Sequence, residues 1–167
     1  MRPQDIVVLL KIVALGETPW RMTDLATALA ISQSEVSESL NRNRIAGLID
    51  GAKRGVHRAA LLEFLLYGLK YVFPEQPGPI VKGQPTAHSA SPLSGKIVGS
   101  AEPFVWPDPD GSVRGQSIEP LYITVPKAVR RDPKLYELLA LVDAVRVGKV
   151  RERKLAQSEL KKRLDSR

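Results

Sequence analysis

The 167-residue chain contains no cysteine. That excludes a disulfide framework and thiolate chemistry, and it suits a reducing cytoplasm, the compartment expected here. Histidine is scarce: His57 and His88 are the only two, and they stand 31 positions apart. With no cysteine to join them they make no zinc-ligand pattern. His57 reads as a helix cap or a phosphate contact, and His88 as a backbone-bonded or pocket-lining group. Ser94-Gly95-Lys96 resembles the end of a phosphate-binding loop, but the first glycine of such a loop would fall at Ala90. No glycine-flanked serine nucleophile and no Ser/His/Asp set stands out. Asp108 and Asp110 form a D-x-D pair of the kind that holds divalent ions. Inside the run PDPDG, their carboxylates are expected to serve the turn itself. The chain is therefore expected not to be an enzyme and to need no metal or cofactor.

Long hydrophobic runs are also missing. Residues 58–73, RAALLEFLLYGLKYVF, are apolar nearly all round, but the run is too short to span a bilayer and Glu63 and Lys70 interrupt it. No membrane partner is expected. A helix that is greasy on every side must be covered, either by the rest of the chain or by a second copy. The opening MRPQDIVVLLKIVAL lacks a small-residue cleavage site and carries Asp5 and Lys11. It reads as a core helix with Pro3 in its first turn, not as a signal peptide. The composition is that of a globular protein, 43% hydrophobic and 26% charged.

The net charge of +7 is unevenly spread. Residues 1–40 sum to −2, residues 41–58 to +4, residues 59–145 to −1 and residues 146–167 to +6. Clusters of this kind suit a polyanion. For the C-terminal cluster taken alone, a solvated charged helix explains the charge equally well.

The stretch TDLATALAISQSEVSESLNRNRIAGLI, residues 23–49, reads as two helices joined by a tight turn. Leu25, Leu29 and Ile31 share a face, with Ala26 and Ala30 at close helix contacts. Ser32 and Glu35 form a capping box that starts the second helix. Val36, Leu40 and Ile45 continue the buried stripe. This pattern resembles the winged helix-turn-helix of MarR-like bacterial transcriptional regulators, through Leu25-Ala26, Leu29-Ala30-Ile31-Ser32, Val36-Ser37, Leu40 and Gly47-Leu48-Ile49. The resemblance covers about 50 residues and implies a three-helix core, a recognition helix over residues 33 to about 46, and a β-wing. Two features depart from the pattern. The helix carries Glu35 and Glu38 with no base before Arg42. The wing is short, with residues 48–50 as its first strand, 51–55 as its turn, and only Val56 and His57 for the return.

Residues 74–131 hold ten of the 13 prolines, which excludes a helix. Ile80-Val81, Ile97-Val98, Phe104-Val105-Trp106 and Leu121-Tyr122-Ile123 keep the segment apolar enough to drape over a folded body. A turn at Pro107-Asp108-Pro109-Asp110-Gly111 would join strands over residues 104–106 and 113–118 into a hairpin. Helix resumes at Asp132-Pro133, with a stripe of Leu135, Leu138, Leu139, Val142 and Val145. Gly148 breaks or bends it, and Val150, Leu155, Leu160 and Leu164 extend a thinner stripe.

The expected fold is mainly α. A winged helix-turn-helix with the following apolar helix occupies residues 1–73, a proline-rich extended/β segment residues 74–131, and a helical region residues 132–167. The expected function is sequence-specific binding of double-stranded DNA by a cytoplasmic homodimer, in transcription regulation. Ser32, Gln33, Ser34, Ser37, Glu38 and Asn41 are the expected base contacts, and Arg42, Arg44, Lys53, Arg54, His57 and Arg58 the expected phosphate contacts. The alternative is a protein-interaction module, an antitoxin-like or adaptor partner in an operon pair, with or without DNA binding.

Overall fold

A computed structural model describes residues 1–97 and 102–165. It is mainly α-helical with one small sheet. Val98, expected to pair with Ile97, lies outside the described residues.

Helix α1 (Pro3–Leu15) opens with proline in its first turn, and the Asp5 carboxylate accepts the Arg2 backbone N–H at 2.8 Å. Residues 4–10 are all buried, because α1 lies between α3 (Gln33–Ile45) and α7 (Pro133–Val147). Helix α2 (Met22–Leu29) packs on α3, burying Leu25, Ala26, Leu29, Val36 and Leu40. Two expected members of this contact are absent from it. Ile45 is 72% exposed. Five residues beyond Leu40, it is rotated about 140° from the stripe. Asn43 takes the inward position instead and donates to the Asp5 carbonyl at 3.1 Å. Ala30 ends α2 in the left-handed region, at φ 54°, and faces solvent.

Residues 58–73, read as one helix, bend at Gly68 into α4 (Arg58–Tyr67) and α5 (Leu69–Val72). Part of their apolar surface is covered within the chain. Leu61, Leu65, Leu66 and Leu69 are buried, with α7 and α8 (Val150–Asp165) as the neighbouring helices. Helix α7 begins as expected, with the Asp132 side chain accepting from the Leu135 N–H at 3.0 Å. Lys11 of α1 reaches back to the same carboxylate. Gly148 separates α7 from α8, where a Cβ would collide with the Ala144 carbonyl. Val150, expected in the buried stripe, is exposed at the start of α8.

The proline-rich segment builds a three-stranded barrel and not the expected hairpin. β2 (Phe104–Pro107) and β3 (Val113–Ser117) run parallel, and both pair antiparallel with β1 (Ile80–Pro85). The turn between β2 and β3 is braced by Asp108. Its carboxylate takes the Asp110 N–H, the Gln84 amide and the Arg130 guanidinium. Burial pushes the Asp108 carboxyl up, but these three donors together hold it below the usual range. Gly83 lies opposite both Pro107 and Val113, at the crossing of the three strands, where a Cβ would strike the Trp106 carbonyl. A short helix, α6 (Val125–Ala128), then packs near α2.

One hydrophobic cluster draws on all three sequence segments, from Ile6 and Leu40 through Leu93 and Trp106 to Leu139 and Leu160. At its polar centre is Asp143 of α7, 2% exposed. Its carboxylate accepts from Thr86 Oγ1 at 2.8 Å, Trp106 Nε1 at 2.6 Å and Arg146 Nη1 at 2.9 Å. Arg146 Nε donates in turn to the Phe73 carbonyl, and its Nη1 to the Glu119 carbonyl. Burial raises the Asp143 pKa against the pull of Arg146, Thr86 and Trp106. Asp143→Ala would leave Arg146 and the Trp106 N–H without their buried acceptor. The expected cost is about 3–5 kcal/mol in urea unfolding, and a loss under about 1 kcal/mol would contradict this role.

Candidate nucleic-acid interface

The outward side of α3 begins at its cap. Ser32 Oγ accepts the Glu35 N–H at 3.2 Å, and the Glu35 carboxylate accepts the Ser32 N–H at 2.9 Å, completing the expected box. These bonds, chiefly the one from the Ser32 backbone, hold the Glu35 carboxyl below its usual range. The Tyr122 hydroxyl, 87 residues away, also donates to Glu35 at 3.2 Å. Burial pushes the Tyr122 phenol up, and the Glu35 charge adds to the shift. Ser32, Gln33, Ser34, Ser37 and Glu38 are exposed, while Val36, Ser39, Leu40 and Asn43 face inward. Asn41 is half-buried, and its side-chain carbonyl accepts from Arg44 at 3.1 Å.

The residues after α3 turn back on themselves in one rung of antiparallel pairing, Ile49 with Val56. The His57 N–H bonds to the Leu48 carbonyl, and the Asp50 N–H to the Gly55 carbonyl. The Asp50 carboxylate closes the loop by accepting the N–H groups of Arg54 and Gly55 at 2.8 and 2.9 Å. The Arg54 amide leads the contacts that hold the Asp50 carboxyl below its usual range. Lys53 sits at φ 60° in this loop.

The six expected phosphate contacts are thus distributed unevenly. Arg42 is committed to the interior. Its Nε and Nη2 clamp the buried Asp5 carboxylate at 2.9 and 2.8 Å, and its Nη1 lies 3.8 Å from Glu38. This bidentate pair joins α3 to α1 and raises the Arg42 pKa. Arg54 donates to the Trp20 carbonyl at 2.7 Å and stacks over the Trp20 ring at 4.4 Å, fastening the loop tip to the α1–α2 connection. His57 precedes α4 and makes no side-chain cap, and its Nδ1 lies 2.9 Å from the Gly47 carbonyl. Arg44 is exposed, and Lys53 and Arg58 are half-buried.

Three partners escaped the sequence reading. Asp5 carried a signal, since a carboxylate inside an apolar helix needs a cation. Trp20 and Tyr122 carried none, because their contacts depend on tertiary packing. Elsewhere His88 is buried, with Nε2 3.2 Å from the Glu102 carbonyl and its ring edge-on to Phe104. Asp108 serves its turn, as read from PDPDG. Among the described residues no group of three or more His, Cys, Asp or Glu side chains could hold a metal ion, and no helix is long and apolar enough to cross a membrane. No protein-family model, curated protein or solved structure matches the chain.

Arg42→Ala is expected to destabilise the fold by about 2–4 kcal/mol, because it leaves Asp5 buried and unpaired. Arg44→Ala should stay within about 0.5 kcal/mol of wild type, as surface changes usually do. Chemical denaturation of the two variants checks this, and equal small effects would show that the clamp is not structural.

Proposed function

We propose that the chain is a sequence-specific double-stranded DNA-binding protein of the winged helix-turn-helix type, acting in transcription regulation as a homodimer. In this reading α3 is the recognition helix and the loop at residues 50–55 is a minimal wing. The observation that carries it is the two-sidedness of α3. Its inner side is locked by Val36, Leu40, Asn43 and the Arg42–Asp5 clamp, while Gln33, Ser34, Ser37 and Glu38 are held outward in the first two turns. A helix of 13 residues is about 20 Å long and enters a major groove about 12 Å wide, with its N-terminal turns against base edges. Gln33 and Asn41 have the amide geometry for adenine, and Glu38 can accept from a cytosine amino group. Arg44, Lys53, Arg54 and Arg58 would meet phosphates. In the homodimer two copies of α3 would lie about 34 Å apart, one turn of DNA. The dimer contact belongs on the outer side of α4 and α5, since α1 is covered by its own chain.

A second reading gives the same outer side of α4 and α5 to a different protein in place of a second copy. Tyr67, Tyr71 and Val72 are all exposed on α4 and α5, and Lys70 lies 4.9 Å from the Tyr71 ring centre. Such a patch suits a protein partner, as in an adaptor or antitoxin-like half of an operon pair.

Titration against the chain's own upstream duplex separates the two. With four phosphates neutralised per protomer, log affinity should fall with log salt at a slope of roughly −4 per protomer. Gln33→Ala and Asn41→Ala should narrow the gap between specific and random duplexes, each by about 1–3 kcal/mol. Lys53→Ala should weaken both duplexes alike. Absence of duplex binding at low salt, together with loss of a protein partner in Tyr71→Glu, would establish the second reading instead.

A further inference from the structure

Helix α8 separates its charges by side. Glu152 and Glu159 are buried. Glu152 accepts the Lys149 N–H at 2.8 Å. Glu159 is held by Lys96 and Arg163, which bring its pKa to about 2, so its charge is fixed and neutralised inside the protein. The opposite side carries Arg151, Lys154, Lys161 and Lys162, all exposed, with Ser158 and a single acid, Asp165. Successive steps of 100° put Arg151, Lys154, Ser158, Lys161 and Lys162 within one strip about 100° wide. Arg151, Lys154 and Lys161 form no ion pair with any described carboxylate, and Lys162 reaches only Glu159, at 3.4 Å. A helix that needed its charges only for solubility would mix signs on its outer side. This one turns two of its three acids inward and, with only Asp165 at its end, presents a row of four cations about 16 Å long.

Helix α8 packs on α4, the helix that starts soon after the residue 50–55 loop. On another side of α8, Arg163, paired with Glu137 and Glu159, lines a cavity of about 290 Å³ with Arg58, Lys134 and Glu137.

We propose that the outer side of α8 is a second phosphate-contacting surface, which takes up the duplex flanking the segment that α3 reads. This rests on the DNA-binding reading above and adds to it a longer footprint with no base readout of its own. Four cations on four phosphates contribute about −3 to −4 to the salt slope.

The test uses the full chain and two duplexes carrying the same upstream site. One is about 18 base pairs long, enough for two half-sites one turn apart, and the other about 40. Wild type should show a slope steeper by about 3–4 per protomer on the long duplex than on the short one. The variant Arg151→Gln/Lys154→Gln/Lys161→Gln/Lys162→Gln should show the short-duplex slope on both, with its preference for the site unchanged. Between 50 and 200 mM salt, wild type on the long duplex should then lose roughly 100-fold more affinity per protomer than the variant, or about 10⁴-fold for the homodimer. If wild type binds the short duplex and lengthening changes nothing, or if the variant keeps the steep slope, this surface is not a DNA contact while the reading of α3 stands. If wild type binds neither duplex, both fall. Loss of binding to single-stranded RNA alone in the variant would overturn the proposal in favour of an RNA surface.

Discussion

The buried carboxylate of Asp143 is the point on which the rest of the molecule is hung. It lies on α7, the most buried helix of the C-terminal part, and takes one donor from the strand layer at Trp106, one from the end of β1 at Thr86 and one from Arg146. Arg146 extends the reach to the carbonyls of Phe73 and Glu119. Four stretches that are remote in sequence are thereby placed on one helix turn. A buried ion pair adds little net stability once desolvation is counted. What this one supplies is position. Proline-rich chain offers few backbone hydrogen bonds with which to fix itself, and the indole N–H of Trp106 has only one acceptor to find. With the strand layer pinned, α7 is free to use its other side on α1, and α1 in turn carries α3.

That chain of supports explains why a short polar helix stands firmly at the surface. Helix α3 has few large apolar groups to bury, so its hold on α1 depends on Leu40, Val36 and two polar contacts to a single residue, Asp5. The Arg42 clamp costs the surface a cation. The Arg54–Trp20 stack partly removes another, in exchange for a fixed loop tip. In the proposed reading, the positive charge met by the duplex would come from Arg44, Lys53, Arg54 and Arg58 and from the outer side of α8.

Local signals in the sequence located most of the helical frame. Ser32 with Glu35, Asp132 with Pro133, and Gly148 each mark a boundary by chemistry that acts within four residues, and each boundary falls where that chemistry puts it. The leucine and valine stripe of α7 is likewise a local periodicity. What was illegible depends on partners far along the chain. The hairpin expected around PDPDG requires only that two strands be neighbours. The observed barrel requires β1, some 20 residues earlier, and a glycine at its crossing. Ile45 and Asn43 exchange roles because a buried backbone carbonyl at Asp5 rewards an amide more than the helix end rewards an isoleucine. In the candidate site the outward set of Ser32, Gln33, Ser34, Ser37 and Glu38 is legible from helical spacing. The loss of Arg42 to the interior was not, because it needs the knowledge that Asp5 faces α3.

The most direct measurement is backbone and side-chain NMR of the full chain titrated with its own upstream duplex. The expected result is that shifts concentrate at Gln33, Ser34, Ser37, Asn41 and Lys53, joined by Arg151, Lys154, Lys161 and Lys162 when the duplex extends beyond the two half-sites, while the Trp106 indole N–H and the amide of Asp143 stay in place. Shifts confined to Tyr67, Tyr71 and Val72, or a collapse of the Trp106 resonance on titration, would contradict the account of a rigid body presenting α3 to DNA.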